Sequence, residues 1–350
     1  MKFDFAIGNP PYQADHAVDG NRNYLAPVYN IFMDGTYMVA DKVELIHPAR
    51  FLFNAGSTPK EWNQRMLQDP HFKVLNYVPD GKTVFPDTDI EGGIAITYRD
   101  SGSYYGAIEH FIAQPELSSI FNKVQKTKPE SLSIIIYAAE SYKFTENMHQ
   151  EHPDVESLLS TGHKYDLKSN VLSKLNGILF FDSAPSSTDE YIQIFGLDGK
   201  NRTTKWIKRS YIKEAENFTS YKVFVPKANG SGALGEVLST PIIGTPLIGT
   251  PLIGHTQSFI SIGKMSNREE SEALLKYIKT KLARCMLGIL KVTQDNPGPK
   301  WKYVPLQDFT SNSDINWGAS IKDIDRQLYK KYKLSAEEIA FVETNVKEMD

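Results

Sequence analysis

The chain opens Met1-Lys2-Phe3-Asp4-Phe5-Ala6-Ile7-Gly8-Asn9-Pro10-Pro11-Tyr12-Gln13, and its fold is read outward from there. Phe3, Phe5 and Ile7 alternate with small or polar residues, the period of a short strand. Gly8 punctuates that strand, and Pro10 and Pro11 stop both ladder pairing and helix entry. A stiff, extended loop is therefore expected, holding Asn9 and Tyr12 at the carboxyl edge of a sheet. Open α/β sheets bind their ligands at that edge.

The loop suits one kind of chemistry. The Asn9 side-chain oxygen and the Pro10 carbonyl can both accept hydrogen bonds from a planar exocyclic amine. Such bonds draw the nitrogen toward tetrahedral geometry and aim its lone pair at an electrophile. Pro10 helps because its φ is fixed. The Tyr12 ring offers a surface on which a flipped-out base can stack. A plain turn is the bland alternative for the tetrapeptide; its place after an apolar strand closed by glycine favours the chemical reading.

Asn9-Pro10-Pro11-Tyr12, preceded by Asp-Phe-Ala-Ile-Gly, resembles the catalytic motif of amino-group DNA methyltransferases that make N6-methyladenine. The run-in and the text that follows look most like the Eco57I-type, TaqI-like methylases of restriction-modification systems. The resemblance implies S-adenosyl-L-methionine as cofactor, double-stranded DNA as substrate and a restriction nuclease as a candidate partner. It also implies an α/β fold: the C-terminal half of a Rossmann-like methyltransferase sheet, then an α+β target-recognition domain and C-terminal helices. In the family a Val-Phe-Pro segment closes the base pocket, so Phe85 of Val84-Phe85-Pro86 becomes the second candidate aromatic; an ordinary buried Phe is the alternative. Glutamine methyltransferases acting on proteins share the tetrapeptide and remain a competitor, one that predicts no large downstream domain.

Composition sets bounds. A chain of 350 residues can bury a sizeable core and is expected to form more than one domain. The lone cysteine, Cys285, excludes an internal disulfide framework, and its apolar neighbours at helical spacing read it as core. No run approaches a membrane span and no signal pattern is present, which argues for a cytoplasmic protein with no membrane partner. A net charge of −3 neither announces nor forbids DNA binding, because local patches decide it.

Along the chain, residues 14–24 read as a polar loop, 26–40 as a helix and 42–48 as a strand ending at His47-Pro48. No second ligand follows His47 at metal spacing, so a structural histidine is expected and no metal site. A helix within 49–68 and strands at 72–77 and 94–98 complete a first domain, 1–100. Its cofactor half is missing. A Phe-x-Gly-x-Gly loop between strand and helix would precede the catalytic motif in the family order, and only eight residues precede it here. Ile194-Phe195-Gly196-Leu197-Asp198-Gly199 and Ser231-Gly232-Ala233-Leu234-Gly235 carry glycines, but neither joins a clear strand to a helix. Catalysis by this chain alone is therefore in question, and a second chain carrying the cofactor-binding half is the implied partner.

Residues 101–310 read as the target-recognition, DNA-binding domain. Strands are expected at 134–137, 178–181 and 203–211. In the last, Lys205, Lys208 and Arg209 around Trp206 and Tyr211 suit phosphate contacts with stacking; a solvated strand face accounts for them equally. A strand at 221–226 runs into a loop where Lys227, Asn229 and the amides freed by Gly230 and Gly232 suit DNA backbone or base edges. The repeat Ile243-Gly244-Thr245-Pro246-Leu247, Ile248-Gly249-Thr250-Pro251-Leu252 is too short for a solenoid and reads as a lengthened loop. A strand at 258–263, one helix over 267–290 with a basic side, and a short strand around Trp301–Val304 follow. Residues 311–350 read as a C-terminal helical segment, with Ser335 and Glu338 forming a capping box. The expected function is adenine-N6 methylation of DNA at a specific site; a non-catalytic DNA-binding specificity subunit, or one product of a split gene, is the rival.

Overall fold

The alternating run at the amino terminus forms a strand, β1 (Phe3–Gly8), in the computed structural model, which describes residues 2–14, 26–88, 90, 92–229, 234–235, 238, 252–291 and 293–349. Helix α1 (Tyr29–Val39) leads into β2 (Ala40–Pro48), which lies parallel to β1. A parallel pair needs a crossover, and α1 supplies it. After a 3₁₀ turn at Arg50–Phe53 come α2 (Lys60–Gln68), β3 (Phe72–Val78) and β4 (Ile94–Asp100). The four strands form one sheet in the order β1-β2-β4-β3, with β4 antiparallel to both neighbours.

One face of this sheet is buried. Val43, Leu45 and His47 of β2 pack with Tyr29 and Met33 of α1, Phe51, and Trp62 and Met66 of α2. His47 stacks on Tyr29 with ring centroids 5.9 Å apart and meets the Thr97 hydroxyl through Nε2 at 2.7 Å. Burial lowers its pKa to about 4, so it sits neutral in the core, the structural role expected of it.

The chain divides into two compact units, Met1–Ala113 and Gln114–Asp350, in place of the three expected segments. Residues 101–113 stay with the first unit because Tyr105 N–H donates to Pro70 O at 2.7 Å and Phe111 packs edge-on against Phe53 and Tyr77.

The second unit begins with α3 (Pro115–Lys126), short strands β5 (Ile136–Tyr137) and β6 (Lys143–Phe144), and short helices α4 (Glu146–Glu151) and α5 (Val171–Lys174). Next come β7 (Tyr191–Asp198), β8 (Asn201–Lys208), β9 (Ile212–Lys213), β10 (Tyr221–Pro226), β11 (Ile253–His255) and β12 (Phe259–Met265). They pair as β10-β12-β5, β11-β7-β8 and β6-β9. Helices α6 (Arg268–Lys279), α7 (Lys281–Gly288), α8 (Ile321–Lys331) and α9 (Ala336–Asn345) complete it. The whole is mixed α/β.

Four sequence expectations change here. Residues 178–181 form a tight turn whose Leu179 and Phe180 are buried, and Phe181 bridges only to Trp206. At 134–137 the strand shrinks to β5, because a 3₁₀ turn occupies Leu132–Ile135. The strand expected around Trp301–Val304 does not form: a 3₁₀ turn over Gly298–Trp301 runs on into further turns. The helix over 267–290 is two helices: Thr280 has extended ψ, its side chain caps α7, and the Asp325 carboxylate of α8 takes the Lys281 and Leu282 amides at 2.9 and 3.0 Å. That cap, with Glu338 of α9 bonded to Lys123 and Ser119 of α3, ties the C-terminal helices into the second unit. The Ser335–Glu338 capping box forms as expected, and Cys285 is buried, its thiol pushed up to about 12. The polar loop at residues 15–24, the Gly230–Ala233 segment and the pentapeptide repeat through Pro251 lie outside the described residues.

Candidate active site

Gly8 ends β1 and hands the chain to Asn9-Pro10-Pro11-Tyr12 at the carboxyl end of the strand. Prolines prevent this loop from extending the ladder, so it leaves the sheet and returns to α1. Val28 N–H donates to Tyr12 O at 3.1 Å and Ala14 N–H to Ala26 O at 2.9 Å, which pins the loop to the start of that helix. Asn9 and Pro11 are exposed, while Pro10 and Tyr12 are half-buried. The Asn9 side chain lies at the Tyr12 hydroxyl; burial pushes the phenol pKa up and the Asn9 contact opposes that. The contact lacks the geometry of a full hydrogen bond, and the buried Tyr12 hydroxyl has no other partner among the described residues.

Phe85 reaches the same place from a different part of the chain. Asp80 caps a 3₁₀ turn at Gly81–Thr83 by accepting from Lys82 N at 3.0 Å, and Phe85 N–H then donates to Gly81 O at 2.9 Å. Gly93, at φ +79°, lets the chain pass within what would be 2.4 Å of a Cβ from Val78 O, so no other residue fits that turn without displacement. The result is an edge-on pair, Tyr12 against Phe85, with centroids 6.3 Å apart and planes at 72°. Asn9, Tyr12 and Phe85 thus share one corner of the first unit. The corner offers an amide, a proline carbonyl and two aromatic rings: hydrogen-bond acceptors for an amine beside surfaces for a planar ring.

The basic-aromatic strand is arranged differently from its sequence reading. Lys205 is buried and bonded to Asp182 and Asn176 at 2.9 Å each, with Asp198 at 3.4 Å. Lys208 pairs with Glu151 at 3.1 Å and Asp189 at 3.3 Å, and Arg209 with Glu190 and Glu214 at 2.6 Å each. These carboxylates raise the pKa of all three cations. A phosphate would have to displace a carboxylate at each one. The basic side read into residues 267–290 is likewise engaged: Lys276 donates to Trp317 O and Ala319 O, Lys281 to Glu343, and the Arg284 guanidinium to main-chain carbonyls. Lys227 stands at the lip of a cleft of about 510 Å³ lined also by Glu140, Ile260, Pro297, Gly298 and Lys302, and pairs with Glu140 at 3.0 Å. Asn229 is half-buried, its carbonyl accepting from Lys291 Nζ at 2.8 Å.

Of the two glycine stretches read as candidate cofactor loops, the one at residues 194–199 is fully described. Gly199, at φ +61°, makes the two-residue turn between β7 and β8, where Asp198 pairs with Asn201. Gly196 sits inside β7, and a Cβ there would come within 2.7 Å of Leu172 and Thr256. That candidate loop is a hairpin packed on its neighbours. The Arg50 stem packs beneath Gly56 and Gly92, where a Cβ would approach to 3.2 and 2.3 Å. No group of acidic, histidine or cysteine residues able to hold a metal occurs among the described residues, and no described helix is long and apolar enough to cross a membrane.

Comparison with known proteins agrees with the loop reading. The family described as Eco57I restriction-modification methylase matches residues 1–85. An uncharacterized adenine-specific methylase of Mycoplasma pneumoniae is 30% identical over 95 residues, which is 27% of this chain and 22% of that protein. Among solved structures, the type IIG restriction endonuclease BpuSI aligns at 9% identity over 98% of this chain and 53% of its own, with a TM-score of 0.34. The type IIL restriction-modification enzyme MmeI aligns at 8% identity over 97% and 56%, also at 0.34. Scores that low do not establish a shared fold. The chain thus spans about a fifth of the curated relative and about half of each solved one. Residues 1–85 are similar to the Eco57I restriction-modification methylases, and a stretch of 95 residues is similar to an adenine-specific methylase.

Proposed function

We propose that the first unit is the base-holding part of a DNA adenine-N6 methyltransferase of a restriction-modification system. The carrying observation is the meeting of Asn9, Tyr12 and Phe85 at the carboxyl end of β1. In this reading an adenine swings out of the duplex and stacks against Tyr12, with Phe85 closing the pocket. The Asn9 side-chain oxygen and the Pro10 carbonyl accept hydrogen bonds from the two amine N–H groups; Pro10's fixed φ, with Pro11 following it, sets the direction of that carbonyl. Positioning and charge stabilisation then carry the reaction, with no covalent nucleophile. S-adenosyl-L-methionine is the methyl donor that a methylase of this kind uses. The products would be N6-methyladenine and S-adenosyl-L-homocysteine, the donor's sulfur keeping the electron pair of the broken S–CH3 bond, with one amine proton lost to solvent.

The second unit is proposed as the DNA-recognition part, with Lys227 at its cleft and Asn229 two residues further along the chain; Lys205, Lys208 and Arg209 serve it as an ion-paired frame. The second reading is a DNA-binding specificity subunit without turnover of its own. Calorimetry on the purified chain decides between them. Heat on adding cofactor, and tritium transfer from methyl-labelled donor to unmethylated genomic DNA, support independent catalysis. DNA binding with no heat from cofactor leaves the specificity subunit.

A further inference from the structure

The cleft beside Lys227 is assembled from separate segments of the second unit. Ile136 of β5 and Ile260 of β12 come from neighbouring strands of one sheet, and Pro297 and Pro299 bring the 3₁₀ turn against them. That turn is held at both ends. Asn296 N–H donates to Lys227 O at 2.7 Å, and the buried Trp301 carries the chain back into the core. Leu132 N–H then donates to Val304 O at 2.8 Å, which ties the turn to the segment leading into β5. The cleft is therefore preformed, and its volume of about 510 Å³ suits a ligand the size of one nucleotide. Two cations join the apolar lining. Lys302 is exposed, lies 5.2 Å from the Tyr303 ring and has no acidic partner among the described residues. Lys227 pairs with Glu140 at 3.0 Å, their side chains 43% and 47% exposed. A pair that open to water contributes little, so an incoming anion replaces the carboxylate at small cost.

We infer that this cleft takes one nucleotide turned out of a DNA strand, its base against Ile136, Ile260 and the two prolines and its flanking phosphates at Lys227 and Lys302. The proposal rests on the DNA-recognition reading of the second unit and deepens it. Stacked, paired DNA presents phosphates, sugars and base edges to a protein, while each base face is covered by its neighbours. An unstacked nucleotide offers a flat face to apolar side chains and keeps a phosphate on either side of it. An apolar peptide would fill the same space and leave both cations without a counter-charge. The chemistry of the lining thus selects a strand nucleotide.

The 350-residue protein is titrated with a fully paired duplex, with the same duplex carrying one unpaired extra nucleotide, and with the free mononucleotide. The unpaired nucleotide has no stack or partner to give up, so the bulged duplex should bind about 10-fold tighter than the paired one. The mononucleotide should compete far more weakly than the bulged duplex. Ala138→Trp sets an indole into the cleft from an exposed position and should abolish the preference; Ala184→Trp, exposed outside the cleft, should keep it. Lys302→Ala should lower the salt slope for the bulged duplex by about 1. If Ala138→Trp binds neither duplex, the Lys302→Ala slope decides alone, and an unchanged slope counts against the cleft. Equal affinity of the wild type for the two duplexes, a preference that survives Ala138→Trp, or a mononucleotide that competes as strongly as the bulged duplex each overturns the proposal. Equal affinities would leave the DNA-recognition reading standing, because duplex is still bound. Absence of binding to either duplex removes that reading and the proposal with it.

Discussion

The Tyr12 ring meets the Phe85 ring edge-on at 6.3 Å, although one belongs to the loop after β1 and the other to a turn between β3 and β4. An edge-on pair keeps ring faces available to a third planar group, and so its two members should be separable by mutation. Tyr12→Phe keeps the stacking surface and should lower DNA methylation or affinity little. Tyr12→Ala should cost about 1–3 kcal/mol, the usual loss of a base-stacking ring. Phe85→Ala should fall between them. Competition binding with duplex DNA measures the series, and equal losses for Tyr12→Phe and Tyr12→Ala would assign the effect to the hydroxyl.

His47 makes the first unit sensitive to acid. Its pKa is depressed to about 4, against 6.5 for an ordinary histidine. The stability it contributes is full above pH 6.5 and is lost as pH falls through about 4. Buried neutral histidine on this scale corresponds to about 3 kcal/mol. Urea melts read through exchange of the β2 amides should show that loss, and His47→Gln should flatten it. A wild-type first unit as stable at pH 4 as at pH 7 would contradict the burial.

Asp325 works with the opposite sign. Burial raises its pKa to about 6 from 3.8, outweighing the two amides it accepts. Its neutral form is favoured by folding, so its contribution is full below pH 3.8 and lost as pH rises through 6, again about 3 kcal/mol. Asp325→Asn should therefore narrow its stability gap to wild type as pH rises from 4 to 7, despite a weakened cap on α7. A gap that widens over that range, in parallel denaturation series, would show that the carboxylate form is the favoured one.

Two lysines that look alike in sequence should behave differently. Lys227 is half-exposed at its cleft, and Lys227→Ala should weaken duplex binding while reducing the slope of log K against log salt by about 1. Lys205 is buried among Asp182, Asp198 and Asn176, so Lys205→Met should lower stability and leave the salt slope unchanged. Filter binding across a salt series separates them.

What the sequence disclosed was local. Phe3, Phe5, Ile7 and Gly8 announce a strand and its end, the two prolines announce the loop, and Ser335 with Glu338 announces a helix start. Those signals act within a few residues, and the structure carries each. Phe85 came only through resemblance, because nothing near Val84-Phe85-Pro86 says that Tyr12 will be its neighbour. The break at Thr280 was hidden for the same reason: its second cap, Asp325, arrives from a distant helix. Ile178 to Phe181 misled because a short apolar run looks alike whether it is a strand or a buried turn. Lys208 and Arg209 looked available because their carboxylates, Glu151, Asp189, Glu190 and Glu214, come from segments around the strand. Strand order in the first unit was not legible, since pairing is non-local.

The role of Asn9 as acceptor for an adenine amine is tested most directly by tritium transfer from methyl-labelled S-adenosyl-L-methionine to unmethylated DNA. The fully assembled enzyme is assayed as wild type and as Asn9→Ala. Loss of a preorganised polar contact to the reacting group should lower incorporation by about 100-fold or more while duplex affinity holds. Equal incorporation by the two proteins would contradict the account.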